Sequence, residues 1–320
     1  MKKIFVAFLT TLVLMSACTR DNSTEPESPD VSDEFVTQNI KETPTYFSIA
    51  KKEAVNTFDL LFVNEGRTVG MLLNGGVNGS AGVTAKNLGA VEFTAAANVD
   101  TGFIADADDA AIIGESWYNY DPVTHTLSSK GEVYLIKAAD YNVYKMRIDA
   151  FASEGFTISY SIVDADGKPI DTKTATIAAS DGAPGRFSLA SGTIIEKDEW
   201  DIAFLTIPLY VPELGAAIQN PAVRINSAAG VKVAIVGNMS YDDIQSVPEG
   251  LSFSMDHGES LAIGDQVFNY NTANHRLTPA EVVYILQTVD GGYGKVKVTS
   301  YYDPITGDSG VVNFRAALLN

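Results

Sequence analysis

VVYILQTVDGGYGKVKVTSYY, residues 282–302, decides the fold class. An apolar, β-branched run leads into Asp290-Gly291-Gly292, after which Val296 and Val298 alternate with Lys295 and Lys297. This pattern is a hairpin: one strand, a turn whose glycines accept unusual backbone angles, and a half-buried returning strand. An earlier stretch, VYLIKAADYNVYKMRIDAF at 133–151, has the same form, with Tyr144, Met146 and Ile148 alternating. Val133-Tyr134 and Val283-Tyr284 open the two hairpins at an offset of 283 − 133 = 150 residues.

Working outward, the offset holds over a longer region. Asn119, Tyr120, His125 and Leu127 recur as Asn269, Tyr270, His275 and Leu277, and Asp140 and Lys145 recur as Asp290 and Lys295. Further upstream, YFSIAKKEAV (46–55) matches RFSLASGTII (186–195), and TFDLLF (57–62) matches EWDIAF (199–204). Phe58 therefore stands where Trp200 stands, and Asp59 where Asp201 stands. The offset grows from 140 at Phe47 to 150 at Gly114, so the second copy contains insertions between its ordered blocks. WDIAFLTIPLYV, VKVAIVG and VVNFRAALL are further strand candidates, while AAIQNPAV and PAEVV carry only short, proline-bounded hints of helix. The expected architecture is all-β: two homologous domains in tandem, at 40–167 and 172–320.

The N-terminus sets the compartment. MKK precedes the apolar run IFVAFLTTLVL, which suits a signal-peptide core and is short for a membrane span. Ser16 and Ala17 precede Cys18, the chain's one cysteine, as in a bacterial lipobox. Residues 1–17 are expected to be removed and Cys18 lipidated, with 18–39 a polar, acidic, disordered tether. The formal net charge is −18, and loss of Lys2 and Lys3 makes it −18 − 2 = −20. A surface this acidic repels nucleic acid and anionic headgroups, leaving the lipid as the membrane attachment. One cysteine also excludes a disulfide framework.

These blocks together resemble the HmuY family of Bacteroidetes lipoproteins. Family members carry an FSxxxGEVV-like opening, a W-D-[IM]-A-[FL] strand, a Gly-rich loop and a final hairpin like YxLRTADGxYAKxxxxSYY. Here these stand as FSLASGTII, Trp200-Asp201-Ile202-Ala203-Phe204 and VYILQTVDGGYGKVKVTSYY, with the Gly-rich loop LNGGVNGSAGV (73–83) in the first copy. The resemblance covers most of the mature chain and is stronger in the second copy. It implies an outer-membrane lipoprotein facing the cell surface, a haemophore that passes haem to a TonB-dependent outer-membrane receptor. It also implies two axial ligands, His or Met, from facing loops. A tandem copy departs from the single-domain form. The alternative is a module of the same fold that binds a protein or glycan instead of haem.

The candidate axial ligands are His275, His257, Met255 and His125. In the haemophores the loop histidine falls nearer Asp121 or Asn271 than His125 or His275. Asp121-Pro122 and Asn271-Thr272 are turn chemistry, so each following histidine has a second reading, as a cap donating Nδ1–H to a turn carbonyl. His257 lies in SFSMDHGES, two residues after Met255, and offers a second ligand from that loop. The carboxylates of DADDAA (106–111) and VDADGKPID (163–171) are spaced to suit calcium, but lack the full EF-hand pattern. No Gly-x-Ser-x-Gly elbow, His-Glu-x-x-His or P-loop is present, and the expectation is a binding protein, not an enzyme.

Overall fold

A computed structural model describes residues 33–212 and 215–319. The signal peptide, Cys18 and the tether up to residue 32 lie outside the described residues. The chain opens with β1 (Glu34–Asn39), β2 (Thr45–Ser48), β3 (Glu53–Ala54), β4 (Leu60–Glu65), β5 (Thr68–Leu73) and β6 (Thr84–Asn87). It continues with β7 (Tyr118–Asp121), β8 (Thr126–Ser129), β9 (Val133–Lys137), β10 (Val143–Ala152), β11 (Gly155–Ile162), β12 (Lys173–Ile177), β13 (Gly185–Ser188) and β14 (Thr193–Ile194). The remainder is β15 (Ile202–Val211), β16 (Ala216–Ile225), β17 (Lys232–Val236), β18 (Phe268–Asn271), β19 (Arg276–Pro279), β20 (Val283–Gln287), β21 (Tyr293–Tyr302) and β22 (Ser309–Leu319).

The fold is all-β, and no α-helix occurs among the described residues. AAIQNPAV, with its hint of helix, is strand in β16, where it pairs residue for residue with β15 from Val211↔Ala216 to Ile202↔Ile225. Partnering along a whole strand overrides weak local propensity. The segment assigned to the tether enters the fold at Glu34, because β1 pairs with β22.

Two five-stranded antiparallel sheets carry the hairpins read from sequence. One has the order β12-β11-β10-β9-β6, the other β1-β22-β21-β20-β17. Two four-stranded sheets, β14-β13-β4-β5 and β16-β15-β2-β3, lie apart from them in pairing, and β7-β8 and β18-β19 are separate two-stranded hairpins. The connectivity crosses the boundary placed at 167–172. β12 and β13 lie beyond that boundary, yet they pair with β11 and β4. Conversely β1 and β2, from the start of the chain, pair with β22 and β15. The chain's opening segment thus pairs with strands of the C-terminal half, and residues 173–188 pair with strands of the N-terminal half.

A buried aspartate holds each exchanged segment. Asp59, before β4, accepts hydrogen bonds from Leu189 N at 2.7 Å and Ala139 N at 2.8 Å. Asp201, before β15, accepts from Ile49 N at 2.8 Å and Val289 N at 2.7 Å. Each carboxylate therefore ties an incoming strand segment to the turn of a hairpin. Burial pushes the Asp59 carboxyl up to about 7, against the pull of its two backbone donors. Asp201 is raised in the same direction by the same cause.

Two large hydrophobic cores and a smaller third cluster are found among the described residues. Leu60, Phe62, Trp117, Tyr134, Met146, Phe156 and Phe187 belong to the first. Ile40, Phe47, Phe204, Val223, Leu286, Val298 and Phe314 belong to the second. Lys295 departs from simple alternation. It is 6% exposed, and its ammonium donates to Tyr241 O at 2.8 Å and Ile244 O at 2.7 Å. The loop containing Tyr241 and Ile244 covers the outer face of β20, packing on Val283 and Ile285, and places a buried lysine where alternation predicts a solvated one.

Candidate functional site

Four of the sequence-derived candidates fall in two different settings. His125 and His275 sit at the last loop position of the β7-β8 and β18-β19 hairpins. Both adopt φ = 55°, a left-handed conformation uncommon for a side-chain-bearing residue. Their Nδ1 atoms hydrogen-bond the hydroxyls of Tyr120 and Tyr270, each at 2.6 Å. The turn reading expected a carbonyl as partner; the structure provides a tyrosine hydroxyl on the neighbouring strand. The loops are otherwise tightened by side chains, with Asp121 Oδ1 accepting from Val123 N at 2.8 Å and Asn271 Oδ1 from Ala273 N at 2.9 Å. All four ring systems are exposed, and the two histidines are on separate hairpins.

Met255 and His257 instead line a cleft of ≈ 770 Å³. This volume lies in the ordinary range for small-molecule sites. One wall is the Gly-rich loop, with Gly76, Val77 and Ser80, joined by Asp108. The other holds Ile207, Pro208, Arg224 and the 255–261 loop. The two loops that frame it are pinned by aspartates. Asp106 accepts from Leu73 N at 2.8 Å and Ile112 N at 2.9 Å, and Asp256 accepts from Ile225 N at 2.9 Å and Ala262 N at 2.7 Å. Burial raises the Asp256 carboxyl, while its two backbone donors and nearby Arg224 lower it. The same backbone bonds give the acidic DADDAA run a local role, since its first carboxylate is already occupied as a loop staple. In VDADGKPID, Asp164 Oδ1 likewise accepts from Asp166 N and Lys168 N, both at 2.9 Å. No cluster of three or more metal-ligating side chains occurs among the described residues.

The glycines of the Gly-rich loop have individual reasons. Gly76 has φ = 63°, and a Cβ there would lie 1.9 Å from Asp106 O. Gly82 has φ = 76°, and a Cβ would lie 2.6 Å from Arg224 Nη1. Gly76 must therefore stay bare for the 105–106 segment to lie against it, and Gly82 for the Arg224 guanidinium to approach. Arg224 was absent from the sequence-derived site because a single arginine in a strand carries no motif.

No family model matches the sequence, and no curated protein matches it. Solved structures do. The chain is similar to HmuY-like proteins. One, from Bacteroides vulgatus and described as HmuY-like and heme binding, is 17% identical, with a TM-score of 0.27 over 42% of this chain and 78% of that chain. The apo HmuY analogue of Tannerella forsythia is 12% identical, with a TM-score of 0.30 over 74% of this chain and 96% of that chain. Apo PinO from Porphyromonas gingivitis is 13% identical, with a TM-score of 0.27 over 74% and 97%. Backbone overlap at these scores is slight, so the functional reading rests on the residues of this chain.

Proposed function

We propose that the chain is a surface lipoprotein of two HmuY-like repeats that binds haem for uptake, and that the cleft beside Met255 and His257 receives it. The supporting observation is the division of the candidate ligands. Met255 and His257 line a cleft of sufficient size, whereas His125 and His275 are engaged by tyrosines on exposed hairpins. Haem supplies an iron that takes one axial side chain on each face. Met255 and His257 are two residues apart on one loop, so they serve as alternatives for one face, not as an opposed pair. The facing wall, with Gly76, Val77, Gly79 and Ser80, presents no imidazole or thioether. The donor set fits a single protein ligand, and five-coordinate, high-spin ferric haem is expected.

Haemin titration of the protein lacking residues 1–18 tests this reading. A saturable Soret change in the parent, weakened by His257→Ala or Met255→Ala and kept by His125→Ala and His275→Ala, is the expected result. A low-spin spectrum abolished by His275→Ala would transfer the site to the hairpin. Anchoring is tested separately: Cys18→Ser should move the protein from the membrane fraction to the soluble one.

A second reading, binding of a protein partner, is favoured by the distal part of the β15-β16 hairpin. Leu209, Tyr210 and Ile218 are 37%, 64% and 40% exposed there. A TonB-dependent receptor would find an apolar, projecting contact at this place. Shortening the hairpin between 208 and 219 should then leave haemin binding intact and abolish transfer to the receptor.

A further inference from the structure

We propose that Arg224 makes the cleft an anion subsite, and that its ligand is an apolar molecule bearing a carboxylate. The proposal rests on the cleft reading above for its location but not on iron ligation. Arg224 lines the cleft, and its Nε is buried without a hydrogen-bond partner. Its Nη1 reaches only Ser80 O, at 3.3 Å. Among the described residues, no carboxylate forms an ion pair with it. A guanidinium presents its donors as a planar fork that matches a carboxylate. The terminal nitrogens are the ones a carboxylate in the cleft would meet, and a charge-assisted bond there would add to the one the guanidinium makes to Ser80 O.

The surroundings fit a ligand with both characters. Ile207, Pro208, Leu261 and Met255 supply apolar surface near the guanidinium, and Gly82 leaves room beneath it. Three acidic side chains share the cleft. Asp256 spends its oxygens on Ile225 N and Ala262 N. Asp108 and Glu259 are exposed, so their repulsion is screened over about 8–10 Å at ordinary salt. Arg224 feels the nearby Asp256 but makes no ion pair among the described residues, in a chain whose net charge otherwise discourages anions.

The test uses metal-free protoporphyrin IX and its dimethyl ester, followed by porphyrin fluorescence, with the protein lacking residues 1–18. The diacid should bind about tenfold or more tightly than the ester, the effect of one charge-assisted bond. Arg224→Gln should remove that preference and Arg224→Lys should retain part of it. Equal binding of acid and ester by the parent, or no porphyrin binding at all, overturns the proposal; the ester comparison needs no variant to fold. Diacid preference without any haemin Soret change would sustain Arg224 and reject the axial ligands. Haemin ligation dependent on Met255 or His257 without diacid preference would do the reverse.

Discussion

β4 and β15 follow equivalent sequence blocks, TFDLLF and EWDIAF, and meet different surroundings. In β4, Leu60 and Phe62 enter the first core while Leu61 and Val63 stay partly exposed. In β15, five successive residues from Ile202 to Thr206 are buried. Ile202 and Phe204 face the second core, and Ala203 and Leu205 face the first. The neighbouring β2 is shared in the same way, Tyr46 facing the first core and Phe47 the second. One sheet is thus an outer wall and the other a partition. The difference accounts for residue choice at matched positions. Arg186, on the outer wall, leaves its guanidinium over the Phe58 ring at 5.8 Å. Its counterpart Tyr46 is buried, packs edge-on to Trp200 at 5.1 Å, and donates to Ala139 O at 3.2 Å. Strands with matching sequence blocks thus carry different side chains according to which of their faces are covered.

The sharpest way to break this comparison is to remove the crossing segment. A chain lacking residues 33–56 loses β1, β2 and β3, and with them Ile40, Phe47 and Ile49 from the second core. Side chains of this kind contribute roughly 1.5–3 kcal/mol each, so the loss rivals a typical net stability of about 5–15 kcal/mol. Asp201 would also lose its Ile49 partner. Hydrogen exchange should show collapsed protection in β20, β21 and β22 while β9, β10 and β11, completed by β12 and β13, remain protected. Equal loss in both sheets would show that the bodies fold only together.

A finer cut compares the paired aromatics. Trp200 is 0% exposed, meets Tyr46 edge to face and donates its indole N–H to Thr57 Oγ1 at 3.2 Å; Phe58 is 6% exposed. Trp200→Ala should cost about 3–5 kcal/mol. Phe58→Ala should cost less, because its ring has an outer-wall neighbour and no hydrogen bond to lose. Chemical denaturation of the two variants checks the order, and a larger loss at Phe58 would contradict the partition.

The strands were readable in advance because hairpin turns and alternation are local. DGG and NYDPVTH specify turns through their own backbone needs, and WDIAFLTIPLYV declares a strand through composition. Partner choice was not readable. FSIA at 47–50 and FSLA at 187–190 are nearly the same string, and nothing within either says which β4-like strand it will join. The buried Lys295 was missed for a related reason, since the carbonyls it serves come from a loop about 50 residues upstream. Met255 and His257 are visible in the sequence as chemistry but not as a cleft, because residues of the Gly-rich loop at 73–83, remote in sequence, complete its lining. The hairpin between Asp201 and Asn226 is longer than that between Asp59 and Asn74.

The buried aspartates give a pH test of moderate size. The folded-state carboxyl of Asp59 is raised to about 7, above its ordinary 3.8, so between about pH 4 and 7 the folded protein retains a proton that the unfolded chain has released. Stability from this group is therefore fullest below about pH 4 and declines as pH rises through 7. Asp198, Asp201 and Asp256 are raised in the same direction by burial. Thermal unfolding should show a falling midpoint from pH 5 to 8. Asp59→Asn should have a shallower slope, together with a penalty of about 1–3 kcal/mol for an imperfectly matched buried amide. A midpoint that climbs over that interval would contradict the sign.

The smallest effect belongs to the two histidine hairpins, whose geometry agrees closely. His125 and His275 share φ = 55° and the same 2.6 Å bond to a tyrosine. Two roles are combined in each: a left-handed backbone position and an exposed side-chain hydrogen bond. His275→Ala removes the bond and keeps the strain, so it should destabilise by about 1 kcal/mol. His275→Gly also removes the bond but relieves about 1 kcal/mol of left-handed strain, so it should lie close to the parent. The ordering parent ≈ Gly > Ala identifies the histidine chiefly as a turn residue, and the same ordering is expected at His125. If Gly is as damaging as Ala at both positions, the Tyr–His bond matters more than the backbone. If the two positions differ, the local equivalence of the hairpins does not extend to their energetics.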